Sequence, residues 1–155
     1  MISAEVTAAE PMPIDLVARL TRLWTEPFAS VSEAIAAFGE TYSEPVRING
    51  TDFSLAELVE RAQALQAAFN ELRLEPIQQV EAAGRLVLVF WQRGRHAGPL
   101  QTPLGQVEAT GREFQIRVID VLTISEGRIS AIDVVSDSLE MLVQLEAVRL
   151  TVHDE

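Results

Sequence analysis

Asp120 is the residue in this chain whose setting most suggests chemistry. Side chains alternate between faces along a strand, so Phe114, Ile116, Val118, Asp120, Leu122 and Ile124 share one face. A single carboxyl among five apolar neighbours is costly unless it is paired or used. Kept dry, it has a raised pKa and can take and return a proton near neutral pH. A second stretch places Leu86, Leu88, Phe90, Gln92, Gly94 and His96 on one face, so Gln92 and His96 interrupt a surface that begins as core. The chemistry these residues suggest is removal of a proton beside a ligand carbonyl by Asp120, with His96 or Gln92 steadying the enolate. Each has a plainer reading. Asp120 could hold a structural ion pair with Arg47 or with Arg117 of a neighbouring chain. His96 could be a solvated rim residue before Gly98-Pro99, and Gln92 could bond only to the next strand.

The elements that position these residues can be read from periodicity and turn chemistry. Leu16, Val17, Leu20, Leu23 and Trp24 have helical spacing after Ile14, and Pro27 ends that helix. Ser32 starts a second helix through Phe38, which Gly39 closes, and Tyr42 enters a loop through Pro45. Asn49-Gly50 between Val46-Arg47-Ile48 and Phe53 specifies a hairpin. Ser54 with Glu57 forms a capping box for a long third helix to about Arg73. Strands follow from about Pro76 to Ala82, through the two stretches above, and from Arg128 to Ser136. Their turns are Ala83-Gly84 and Glu126-Gly127, and Asp137 caps a last helix. The loop from Pro99 to Gly111 could cover a pocket mouth. Residues 1–12 read as a mobile lead, 13–149 as a single domain, and 150–155 as a polar tail.

Composition narrows the function classes. A chain of 155 residues with 48% hydrophobic content is long enough for one sizeable core. The absence of cysteine excludes disulfides and thiol chemistry, and two histidines supply a zinc site poorly, so neither metal nor cofactor is expected. A formal charge of −11 argues against nucleic acid and anionic membrane as partners. With no apolar run long enough to span a bilayer and no basic, apolar leader, a cytoplasmic location is expected.

Helices followed by a meander give an α+β plan in which the helices cover one face of a curved sheet, wrapping a cone with a pocket at its open end. The aromatic residues Trp24, Phe53, Tyr42 and Phe90, with Val118 and Val134, are expected as walls of an apolar ligand site. The opposite face carries Val87, Val89, Trp91, Ile119 and Val121, more apolar surface than a solvated face usually shows, and a homodimer through that face is expected.

Five ordered patches then carry a resemblance: Gly94-Arg95-His96-Ala97-Gly98, Thr110 to Phe114, Ile119-Asp120-Val121, Glu126 to Ile129 and Asp137-Ser138-Leu139. Together, over about residues 14–147, they resemble the nuclear transport factor 2-like superfamily and within it the SnoaL-like polyketide cyclase (ester cyclase) group. The resemblance implies a conical α+β fold, a dimer, a small cyclic or carbonyl-containing ligand and aldol-type ring closure by a pocket acid. Related proteins isomerise ketosteroids or hydrolyse epoxides. Asp120 and His96 match positions lining the family cavity. The family's frequent last-strand aspartate falls on Val134, and the neighbouring Asp133 should face the other way unless a bulge intervenes. The alternative function is therefore a non-catalytic ligand-binding or dimeric scaffold that has lost that acid.

Overall fold

The computed structural model describes residues 15–153; the expected N-terminal lead at 1–12 lies outside them. Helix α1 (Leu16–Thr25) buries Leu16, Leu20 and Leu23. Helix α2 (Val31–Thr41) starts one residue earlier than the sequence suggests, because the cap is Ser30, whose Oγ accepts from the Glu33 backbone N–H at 3.2 Å. It also runs through Gly39. A Cβ there would lie 3.2 Å from Leu55 Cδ1, so this glycine lets two helices approach closely rather than ending one.

Residues 42–45 are not a loop but the start of strand β1 (Tyr42–Ile48), which forms the expected Asn-Gly hairpin with β2 (Thr51–Phe53). Asn49 and Gly50 both have positive φ, as a primed turn requires. Ser54 caps α3 (Leu55–Ala68) with the full capping box. That helix stops well short of Arg73, because residues from Phe69 onward join the sheet as β3 (Phe69–Ala82). Leu65, Phe69 and Leu72 keep helical spacing across the junction, but pairing of Phe69 with His96 and of Leu74 with Gln92 prevails. Pro76 is tolerated inside β3 because that strand is at the sheet edge and its register breaks after Pro76.

Strands β4 (Arg85–His96), β7 (Glu113–Ser125) and β8 (Arg128–Ser136) follow the expected meander, and α4 (Ser138–Gln144) is capped by Asp137. The segment expected as a covering loop is instead largely a small hairpin, β5 (Leu100–Thr102) and β6 (Gly105–Val107). The main sheet has six strands in the order β2-β1-β8-β7-β4-β3, two more than the meander, because β1 docks in parallel against β8. All its other pairings are antiparallel.

The core occupies one face of this sheet. Helices α1 to α3 pack on Leu86, Leu122, Ile124, Ile129 and Ile132. Toward the other end of the same face, Phe69, Leu88, Phe90, Phe114, Ile116 and Val118 form a second cluster with Leu145 just past α4. The result is an open, cone-like α+β fold whose two apolar clusters flank a cavity. On the outer face Val87, Val89, Trp91 and Val121 are half-buried, while Ile119 and Val135 are exposed. Among the described residues no helix is long and apolar enough to cross a membrane.

Candidate functional site

Between helices and sheet lies a cavity of about 270 Å³, bounded by α1, β1, α3, β3, β4, β7 and β8. Asp120 projects into it from β7, paired across the sheet with Leu88 of β4 and Val134 of β8. The residue as a whole is half-buried, yet its Oδ1 is sealed from solvent and has no hydrogen-bond partner. Burial pushes the Asp120 carboxyl up to about 7. Arg47, one of the two arginines considered from sequence, is not paired with it. Arg47 is bonded to Asp52 at 2.9 Å on the hairpin, and the Arg117 guanidinium lies 4.9 Å from the centre of the Trp91 ring. Within the chain, and among the described residues, Asp120 has no ion-pair partner.

Beside the acid stands Tyr42, buried where α2 gives way to β1. Its hydroxyl accepts a hydrogen bond from Trp24 Nε1 at 2.8 Å. Burial pushes the phenol above its usual range, outweighing that bond, and the nearby Asp120 charge adds to the rise. Tyr42 therefore stays a neutral O–H whose proton is not committed to Trp24, since the indole can only donate. Phe38 holds both rings, stacked on Tyr42 at 5.7 Å and edge-on to Trp24 at 5.8 Å.

Gln92 also lines the cavity, but not beside Asp120. Asp120 faces Leu88, and Gln92 lies four residues farther along β4, about 13 Å at the rise of an extended strand. An oxygen next to the Asp120 carboxyl is beyond the reach of that amide, so Gln92 addresses the far end of a ligand. His96 lies farther still and is not part of the cavity lining. It is fully buried rather than at a solvated rim. Its Nδ1 accepts from the Thr110 backbone N–H at 3.2 Å and sits 3.0 Å from Thr110 Oγ1, while its ring packs 5.7 Å from Phe69. The reason is the length of β4, which carries residue 96 past the cavity to where α3 ends and residues 110–112 fold over it.

Phe90, Val118, Val134, Trp24 and Tyr42 line the cavity as the sequence suggested; Phe53 does not. Its ring lies under the Arg61 guanidinium at 4.1 Å. Val134 occupies the last-strand position facing the cavity. Asp133 is exposed and pairs with Val121 on the outer face, and the nearest register break, between Thr123 and Ile124, leaves that parity intact. Asn49 fixes Val134 in place: its Nδ2 donates to the Val134 carbonyl at 3.2 Å and its Oδ1 accepts from the Val134 N–H at 2.9 Å. Sequence reasoning missed Thr21, Arg61 and Ser136 in the lining. Ser136 shares the parity of Val134 and was within reach of it. Arg61 had no signal beyond being a charged residue on a helix.

The model of SnoaL-like polyketide cyclases matches residues 16–145. The chain belongs to the SnoaL-like polyketide cyclase family. Solved structures agree on the fold. TsrD from Streptomyces laurentii superposes with a TM-score of 0.72 at 18% identity, covering 86% of this chain and 94% of that one. A SnoaL-like polyketide cyclase from Agrobacterium tumefaciens gives 0.69 at 20% identity, covering 88% and 99%. IdmH from Streptomyces antibioticus gives 0.66 at 21% identity, covering 85% and 96%. No curated protein matches the sequence.

Proposed function

We propose that the protein binds a small apolar, carbonyl-containing cyclic molecule in the cavity and uses Asp120 for acid/base cyclase or isomerase chemistry. The observation that carries this reading is the Asp120 carboxyl at the wall of an apolar cavity, its Oδ1 sealed from solvent without a partner and its pKa pushed up to about 7 by burial. Ionised Asp120 takes a proton from the carbon next to a ligand carbonyl. The Tyr42 O–H, itself polarised by the Trp24 bond, donates to the carbonyl oxygen as it gains charge. The resulting enolate attacks a second carbonyl of the same molecule, forming the ring C–C bond, and the new alkoxide takes back the proton from Asp120. The step is redox-neutral and balanced within the substrate. In an isomerase the same proton returns to a different carbon.

The test is deuterium exchange into 2-tetralone, a bicyclic ketone with acidic C–H bonds, followed by NMR at pH 7.5. The native protein is expected to accelerate exchange, Asp120→Asn to lose about 100-fold or more of that acceleration, and Tyr42→Phe about 10- to 100-fold. No acceleration by the native protein defeats the catalytic reading. Val134, an apolar residue opposite Asp120, favours the second reading, a non-catalytic ligand-binding or dimeric scaffold, in which the same ketone binds without exchange.

We also propose that two copies associate through the outer sheet face, where the exposed Ile119 and Val135 adjoin half-buried Val87, Val89, Trp91 and Val121. Light scattering is expected to give twice the 17.1 kDa chain mass at micromolar concentration. A monomer mass across that range would exclude this interface.

A further inference from the structure

We infer that the ligand of this cavity carries an anionic group, a carboxylate or an acidic enol or phenol, and that Arg61 at the mouth receives it. The inference rests on the cavity being the binding site and is independent of whether Asp120 turns anything over. Among the described residues Arg61 is the one basic residue in the cavity lining, where it joins a wall that is otherwise apolar apart from Asp120 and a few neutral polar groups. It is exposed, as are Pro76 and Ser136, and these three mark the open side. One helical turn on, Leu65 also lines the cavity, so the helix face that carries Arg61 looks inward.

Among the described residues the guanidinium has a ring contact but no hydrogen-bond or ion-pair partner. It lies over the Phe53 ring at 4.1 Å, a cation–π contact that uses the face of the group and none of its N–H donors. Among the described residues no carboxylate lies within ion-pair distance of Arg61, although five other arginines have such partners. Glu57, one turn earlier and the natural helical partner, spends its Oε2 on the Ser54 N–H of the capping box at 2.7 Å. Asp120 shares the cavity with Arg61 without pairing to it. On a chain of formal charge −11, an unpaired planar cation at the mouth of an apolar cavity is a local exception to a field that repels anions. The guanidinium fork suits a carboxylate or an enolate oxygen beside a carbonyl, bound through two parallel N–H donors. A fused-ring ligand could thus keep its rings in the apolar cavity and its acidic end at Arg61.

The experiment compares two probes of the same shape, 2-naphthoate and the neutral ketone 2-acetonaphthone, titrated calorimetrically into the full chain at pH 6.5 in low salt. The expected result is at least tenfold tighter binding of 2-naphthoate. Arg61→Gln should remove that preference, and Arg61→Lys should keep part of it. Half-molar salt should weaken only the anion. Arg61 is exposed, so these variants are expected to fold, and matching circular dichroism checks it. Equal binding of the two probes, or a preference that survives in Arg61→Gln, overturns the inference while leaving the cavity as a binding site. Binding of neither probe overturns it together with the ligand-binding reading beneath it.

Discussion

Asp120→Asn is expected to stabilise the protein at pH 8 by about 2–4 kcal/mol and to do little at pH 4. The sign follows from proton linkage. Burial places the folded-state pKa at about 7, against an ordinary value of 3.8, so between these values the folded chain holds a proton that the unfolded chain has released. The native stability due to this group is therefore complete below about pH 4 and is lost as pH rises through 7. At about 1.4 kcal/mol per pH unit the interval corresponds to an upper bound of about 4 kcal/mol, and the amide's own buried polar atoms bring the net gain below it. Most exposed carboxylates bias stability the other way. Asp52, held below its usual range chiefly by the hydrogen bond from Arg47, loses its contribution as pH falls. The useful measurement is accordingly the difference in melting temperature between native and variant from pH 4 to 9. It should be near zero at pH 4 and grow steadily toward pH 8. A variant destabilised at pH 8 would mean that Asp120 has a cationic partner, and the acid/base role would fall with it. A gain in stability joined to a loss of ketone exchange would instead be the signature of a site that holds a dry acid for its function.

How far the sequence foretold this site depended on whether a residue's role follows from local pattern or from long-range placement. The period of two along β7 and β4 correctly set Asp120, Val118, Phe90 and Gln92 on the cavity face, and the same parity sent Asp133 outward and Val134 inward. Parity says which face a residue occupies but not how far along the strand the cavity extends. His96 was for that reason credited with a ligand contact, although β4 carries it beyond the cavity to bond with Thr110. The same omission put Gln92 beside Asp120 when four residues of strand separate their levels. The α3 to β3 junction misled for another reason: Leu65, Phe69 and Leu72 fit a helix, and only pairing with β4, remote in sequence, draws Phe69 onward into the sheet. The parallel docking of β1 on β8 is likewise a contact across more than eighty residues, and no local signal encodes it. Arg61 was invisible because an exposed arginine on an amphipathic helix reads as solvation. Its significance lies in Phe53 beneath it and in the absence of an acid beside it.

Gly98→Ala is expected to cost about 3 kcal/mol or more, the largest loss among the glycine-to-alanine changes in this fold. A Cβ at Gly98 would sit 2.2 Å from the Ala67 carbonyl oxygen and 3.2 Å from its carbon. Both atoms are backbone, so no rotamer change relieves the overlap. The strand end cannot withdraw cheaply either, because the Ala97 and Gly98 N–H groups both donate to the Ala68 carbonyl, at 2.9 and 3.1 Å. Separating the two segments would break those bonds and loosen the end of β4, where His96 is locked against Phe69 and Thr110. Gly39→Ala provides the internal contrast. Its Cβ would meet only the flexible Leu55 Cδ1 at 3.2 Å, and alanine inside a helix gains about 1 kcal/mol over glycine, so that variant should melt within a few degrees of the native protein or above it. Urea titration of both variants distinguishes the cases by midpoint at unchanged slope. If Gly98→Ala unfolds with the native midpoint, the α3 terminus does not press on the end of β4 as described, and the buried placement of His96 would lose its support.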